Sequence, residues 1–388
     1  MFELTRLEKE IKKSARDFAK GEFDQDAFMA MSKKGTFPQK LLDKACEIGL
    51  MGVHLAEAHG GGGLGIAEQA VILEELAIHD STAGFALAAS FFGVESIGDS
   101  GDKSMAERVI PLVSMGKALC ATAFYETDVQ TVSPVFISTA MKTDSGWILN
   151  GTKTNVLNGT LADFFLVICS TRSGENAPPG GCTAFLVDRG MDGVTLSDQG
   201  PSMGMGMVPR ATLNLENVTV PFSSVIGTAG KGMDQLRAFQ CAHWILVAAL
   251  GVGIAKGAYK RTLDYIKQRE QFGKRIADFR VNRHKIADMA VKIDLASLAA
   301  RRAARSYDAG ERKPEVSALA RLIATDTAVR VSDEAVQLLG GYGYMAEYEV
   351  EHFLRDAKFL ELMGGEKSVL LDIIGDKEIG RPKEKRSA

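Results

Sequence analysis

The chain has 388 residues, 46% hydrophobic and 24% charged, which places it among folded proteins large enough for two or three packed layers or domains. A net charge of -3 excludes the globally basic surface that tracks a nucleic-acid backbone. The five cysteines, Cys46, Cys120, Cys169, Cys182 and Cys241, contain no CxxC pair; this argues against a zinc site or a disulfide framework and fits a reducing compartment.

The first residues, MFELTRLEKEIKKSARDFAKGEF, carry charge at helical spacing and lack the apolar core of a signal peptide, so a cytoplasmic chain is expected. From Leu4 to about Gly116 apolar residues recur at helical spacing, as in LLDKACEIGLMGVHL and AEQAVILEELAIHD, giving an all-helical domain over 1–117. Within it HGGGGLG, His59 to Gly65, reads as a helix-to-helix turn. It lacks the Lys-Ser/Thr of a P-loop, and no strand clearly precedes it. From Ala118 to about Phe222 the texture becomes short alternating or apolar runs, among them ALCATAFY, WILNGTKTNVLNG, FFLVICST, CTAFLVDR and ATLNLENVTV, separated by Gly, Pro, Asn and Asp. These predict a compact β domain over 118–226. After glycines between Gly227 and Gly232 the helical period returns, predicting a helical bundle over 227–388 with breaks at Lys313-Pro314 and Gly340-Gly341. The Gly/Ala-rich run from Trp244 to Ala258 is too short for a membrane span and suits a tightly packed bundle helix.

Several motifs are spread across this α+β layout: GTFPQKLLDKACEIGLMGVHLAEAHGGGGLG in the first part, GWILNGTK and LNLENVTVP in the second, REQFGKRI, GGYGY and RDAK in the third. Together they resemble the acyl-CoA dehydrogenases, flavoenzymes that desaturate a CoA thioester between its α and β carbons. The resemblance covers nearly the whole chain and implies the acyl-CoA dehydrogenase fold, FAD, an acyl-CoA thioester as substrate, self-association or pairing with a paralogous subunit, and an electron-transfer flavoprotein as a further partner. It implies neither a nucleic acid nor a membrane partner.

In the family an RxxFG turn and a QxxGGxG turn of one subunit bind the pyrophosphate and adenosine of a neighbour's FAD. Arg269 with Phe272-Gly273, and Gln337 with Gly340, Gly341 and Gly343, match these turns. A guanidinium pairs with phosphate oxygens as a fork, and glycines admit close approach of backbone N–H groups. Taken singly, Arg269 also reads as a solvated helix end and GGYGY as a helix-helix turn.

The flavin-ring segment of the family, Thr-Glu-Pro-Gly-Ala-Gly-Ser-Asp, aligns with Tyr125 to Val132 and retains only Glu126. There Tyr125 is able to stack or hydrogen-bond, and Thr131 to replace the serine hydroxyl. The family Trp-x-Thr corresponds to Asn155-Val156-Leu157, and leucine offers no donor to a flavin. The alternative is that these are ordinary strand residues of a site that no longer holds a ring.

Counting from Arg355, the catalytic glutamate of the family falls on Gly364, which has no proton acceptor. At the second location used by some members stand His243 and Trp244, the latter where those members have an arginine. His243 is chemically able to be a base, although a lone histidine in an apolar helix is usually a packed core residue. Glu361 and Glu366 flank the vacant position, with helical phase turning both away from it.

Three readings remain open. The chain is a flavoenzyme with modified chemistry, or it completes a partner's FAD site in a mixed oligomer, or it is a non-catalytic acyl-CoA or acyl-carrier binding protein.

Overall fold

The computed structural model describes residues 3–126, 136–171, 181–363 and 367–380. Helices come first: α1 (Arg6–Glu22), α2 (Gln25–Lys34), α3 (Gln39–Glu47), α4 (Ile66–His79), α5 (Ser81–Ala89), α6 (Val94–Gly98) and α7 (Lys103–Ser114). The glycine run before α4 is a turn. An added Cβ would lie 2.2 Å from the Leu55 carbonyl at Gly61 and 2.9 Å from Val53 at Gly62, so these glycines let the loop press on the 53–55 backbone. The free N–H groups that open α4 are taken by Asp308, which accepts from Ile66 at 2.8 Å and Ala67 at 3.0 Å. This helix terminus is satisfied by the protein itself rather than by a phosphate.

The strands are β1 (Cys120–Ala123), β2 (Thr139–Lys142), β3 (Gly146–Leu157), β4 (Phe164–Ser170), β5 (Cys182–Asp188), β6 (Val194–Asp198), β7 (Arg210–Pro221) and β8 (Val225–Ile226). They form one sheet in the order β6-β7-β3-β2-β4-β5-β8, with β1 added in parallel along β4. Strands β4 and β5 are buried along nearly their whole length, which is why FFLVICS and CTAFLVD read as continuous apolar runs rather than alternating ones. Two strands escape the sequence pattern: β2, whose TAMK is largely exposed, and the two-residue β8.

The third part is α8 (Gly232–Gln268), a hairpin of β9 (Glu270–Gln271) and β10 (Lys274–Arg275), α9 (Arg280–Asp308), α10 (Pro314–Leu339), α11 (Val350–Leu362) and α12 (Lys367–Ile379). Helix α8 is long and apolar enough by composition to cross a membrane, yet most of its apolar window is buried inside the bundle. Its glycines explain the close packing: a Cβ at Gly253 would lie 2.4 Å from the Glu74 carbonyl of α4, and one at Gly251 3.1 Å from the Ala324 carbonyl of α10. Pro314 opens α10 at a position where its missing N–H costs nothing.

Buried charges tie the parts together. Glu74 accepts from Lys256 of α8 at 2.7 Å and from Lys12 of α1 at 3.4 Å. Asp356, the aspartate of RDAK, accepts from Ser81 Oγ and Thr82 Oγ1 of α5 and from the Met205 N–H between β6 and β7, each at 2.6 Å. That side chain therefore joins a helix of each helical part to the β part. All five cysteines are free thiols.

Candidate active site

Two turns that are far apart in sequence meet on one surface. Strands β9 and β10 enclose Phe272 and Gly273, both at positive φ (53° and 75°), a tight type I′ geometry that the REQFGKRI motif encodes but that no alternating pattern announces. Phe272 is 94% exposed, and the Arg269 guanidinium, at the end of α8, lies 5.5 Å from the Tyr342 ring centroid. Tyr342, Tyr265 and Tyr348 form an aromatic cluster with centroids 4.9 to 6.0 Å apart. Gly340 ends α10 with φ 62°, and Gly343 is required because its Cβ would lie 2.4 Å from the Val336 carbonyl. Gly341 is different, since a Cβ there would meet nothing within 4 Å and packing inside the chain does not require a glycine. Gln337 is exposed one turn before the helix end.

Of the segment aligned with the family's flavin-ring run, Tyr125 and Glu126 are among the described residues. Glu126 accepts from Lys153 Nζ at 2.5 Å and from the N–H groups of Ile137 at 2.6 Å and Ser138 at 3.1 Å. Lys153, from GWILNGTK, is fully buried, donates to the Ile168 carbonyl at 2.5 Å and lies 4.8 Å from the Phe136 ring centroid. The one family residue kept in this segment is thus a structural ion partner, and Lys153 holds its carboxyl below its ordinary range. Tyr125 is 38% exposed, its carbonyl accepts from the Thr154 N–H at 2.8 Å, and desolvation pushes its phenol up to about 12, leaving a neutral hydroxyl. Asn155 sits in a bulge between β3 and β7 at φ 53°, where its Oδ1 accepts from Arg210 at 3.4 Å. Leu157, half-buried, ends β3 opposite Arg210. Thr131 lies outside the described residues, as do Gly364 and Glu366.

At the last described residue before Gly364, Arg321 reaches the backbone, with Trp244 beside it. His243 is 5% exposed, stacked on Phe239 at 4.8 Å and edge-on to Phe92 at 4.5 Å, and its Nδ1 makes no hydrogen bond among the described residues. Burial, with Arg321 adding to it, lowers its pKa to about 3, so it is neutral and a weak proton acceptor. The physical setting thus weighs against His243 as the base. Trp244 is completely buried against Ala318 of α10 and Leu370 of α12. Arg321 of α10, 1% exposed, lies 6.0 Å from the Trp244 ring centroid, and its Nη2 donates to the Met363 carbonyl. Its charge also disfavours protonation of His243 and opposes the upward shift of the Tyr125 phenol. Glu361 is engaged with Lys358 on α11.

Sequence models of the three acyl-CoA dehydrogenase domains match this chain in order: the N-terminal domain over 5–117, the middle domain over 124–218 and the C-terminal domain over 230–378. The chain belongs to the acyl-CoA dehydrogenase family. It is 31% identical over 378 residues to a cyclohex-1-ene-1-carbonyl-CoA dehydrogenase of Syntrophus aciditrophicus, covering 97% of this chain and 90% of the relative. A 3-(aryl)acrylate reductase of Clostridium sporogenes is 30% identical over 361 residues, with 92% and 95% covered. The solved butyryl-CoA dehydrogenase from Megasphaera elsdenii superposes with a TM-score of 0.91 at 30% identity, covering 97% of this chain and 99% of that one.

Acyl-CoA dehydrogenases are flavoproteins, and the residues here fit the cofactor unevenly. The Arg269 and Gly340–Gly343 surface offers an exposed guanidinium and an unfilled glycine backbone, the donor set that suits a pyrophosphate. On the ring side Tyr125 presents a neutral hydroxyl, whereas Asn155 is directed into a bulge contact with Arg210. Sequence reasoning passed over Arg321, because an arginine in the helical pattern SALARLIATDTAVR reads as a solvated face. The missed signal is its neighbourhood, since ALAR is apolar or small on both sides of the charge.

Proposed function

We propose that this chain is a flavin-linked acyl-CoA oxidoreductase acting on a CoA thioester without the usual glutamate, as an oligomer whose FAD lies between subunits. In this reading Arg269, Phe272, Gln337, Gly340, Gly341 and Gly343 serve a neighbour's FAD, while Tyr125, Thr131 and Leu157 border the chain's own flavin ring. The observation that carries it is the meeting of the two turns, with Arg269 against Tyr342 beside an almost fully exposed Phe272. A large aromatic side chain left open near a guanidinium suits a subunit interface with a phosphate-bearing ligand. Bound FAD would supply the hydride acceptor or donor. The protein's own part is to seat the thioester and to manage its proton without a carboxylate at 364.

A second reading has its own support. Asn155 is committed to Arg210 and Glu126 to Lys153, so the ring side has fewer groups to offer than the exported side. That asymmetry suits a subunit completing a partner's FAD site in a mixed oligomer. The test is an anaerobic titration of the purified chain with acyl-CoA, followed through the flavin absorbance. A yellow protein whose spectrum changes with the thioester is expected. A protein that is colourless alone but yellow with a co-expressed chain of the same fold selects the mixed oligomer, and one that is colourless in both cases refutes the flavin assignment.

A further inference from the structure

A cleft with charged walls opens between α1, α2, the end of α4 and α8, and none of the residues of the Arg269 and Gly340–Gly343 turns lines it. Its volume is about 570 Å³, within the range that holds a small molecule. The apolar part of the lining is Phe23, where the chain passes from α1 to α2, with Ala19 and Ile78. Edge-on contacts to Phe18 at 6.3 Å and Phe28 at 5.3 Å fix the Phe23 ring. Arg261 of α8 ties the end of α4 to α8. Its Nη2 donates to the His79 carbonyl at 2.9 Å, its Nη1 to the Ile78 carbonyl at 3.2 Å and its Nε to Glu349.

Some of the ionisable groups in the lining are committed within the fold. Arg261 is matched by Glu349, and Asp24 caps α2 by accepting from the Ala27 N–H at 3.0 Å. His79 lies 3.8 Å from Glu75 of its own helix. The others are Lys20 and Asp26, from α1 and α2, and Lys260 and Asp264, from α8. All four are exposed, and among the described residues their side chains form no hydrogen bond or ion pair. The α1–α2 side and the α8 side therefore each present one ammonium and one carboxylate with no partner of its own. A purely anionic ligand would meet both aspartates and a purely cationic one both lysines, and like charges disfavour either. A ligand carrying both signs answers all four groups, and Phe23 and Ile78 offer surface for an apolar side chain.

We propose that this cleft binds a small zwitterion with an apolar side chain, an amino acid or a dipeptide, its ammonium taken by Asp26 and Asp264 and its carboxylate by Lys20 and Lys260. The site stands independently of the flavin reading.

The purified protein is titrated with alanyl-phenylalanine and with free phenylalanine by ligand-observed NMR, beside the N-acetylated and C-terminally amidated forms of each. Saturable binding of at least one zwitterion is expected, and the tighter of the two separates a peptide from a free amino acid. Exposed ion pairs are individually weak, so acetylation or amidation should each weaken binding about three- to fivefold. In the Asp26→Asn, Asp264→Asn double variant acetylation should have no further effect, and in the Lys20→Met, Lys260→Met double variant amidation should have none. Melting curves of both variants should match wild type, because all four side chains are exposed. Absence of saturable binding by both zwitterions overturns the proposal, as do blocked forms that bind as well as the free ones or double variants that bind as wild type does. FAD content and the flavin response to acyl-CoA in the same preparation report on the oxidoreductase reading separately.

Discussion

Lys153 and His243 illustrate opposite consequences of burial. Lys153 is paired with Glu126, whereas His243 meets two aromatic faces and loses the solvation that would stabilise its proton. Removing one member of a buried pair leaves an uncompensated charge, so Lys153→Met should cost ~3–5 kcal/mol in urea unfolding. For His243 the folded pKa, about 3, lies below the ordinary 6.5. Between those values the unfolded chain binds a proton that the native chain refuses, so this residue subtracts stability as the pH falls below 6.5 and has no such effect above it. The penalty at pH 5 is roughly 2 kcal/mol at ~1.4 kcal/mol per pH unit. His243→Phe should therefore narrow the gap between thermal midpoints at pH 7.5 and pH 5, and an unchanged gap would contradict the assigned environment. The family resemblance puts the catalytic base at position 364, where this sequence has a glycine. Gly364→Glu should raise acyl-CoA desaturation by about 10²–10⁴-fold if a base is the only missing part. No gain would locate the deeper difference at Tyr125 and Asn155.

At the scale of elements, the hairpin of β9 and β10 and the turn ending α10 are where sequence and structure inform one another most. The GGYGY motif was legible, but its three glycines do three things. Gly340 supplies a left-handed φ, Gly343 avoids the Val336 carbonyl, and Gly341 has open space around it. Gly343→Ala should lower stability by ~1–3 kcal/mol through overpacking. Gly341→Ala should leave the melting temperature unchanged while weakening FAD retention, and equal effects of the two substitutions on stability would remove the argument for an exported site. Long periodic helices and the buried strands β4 and β5 were readable because their apolar pattern is continuous. By contrast, β2 and the hairpin are short and mostly exposed, so pairing rather than composition makes them strands. Glu126 was legible as a kept residue but not as Lys153's partner, since that contact spans 27 positions and depends on how β3 lies in the sheet.

For the whole molecule, the order of helices, sheet and helices was readable from where hydrophobic periodicity changes, and the family motifs fixed the architecture. What was not readable is how the parts are joined. Asp356 bonds with Ser81, Thr82 and Met205, and Asp308 closes the start of α4, contacts that span between 151 and 275 positions in the chain. The same long-range folding carries Arg321 to Trp244 and Met363. Such convergence is a property of packing between helices, and no local pattern reports it.

In the proposed oligomer, Arg269 and the glycine turn of one subunit complete the FAD site of another. Counting FAD per chain by absorbance in purified wild type and Arg269→Met, alongside their melting curves, tests it most directly. About one FAD per wild-type chain is expected, with a large loss of FAD in the variant and closely similar melting of the two proteins once FAD is removed. An Arg269→Met protein that retains FAD in full would contradict it.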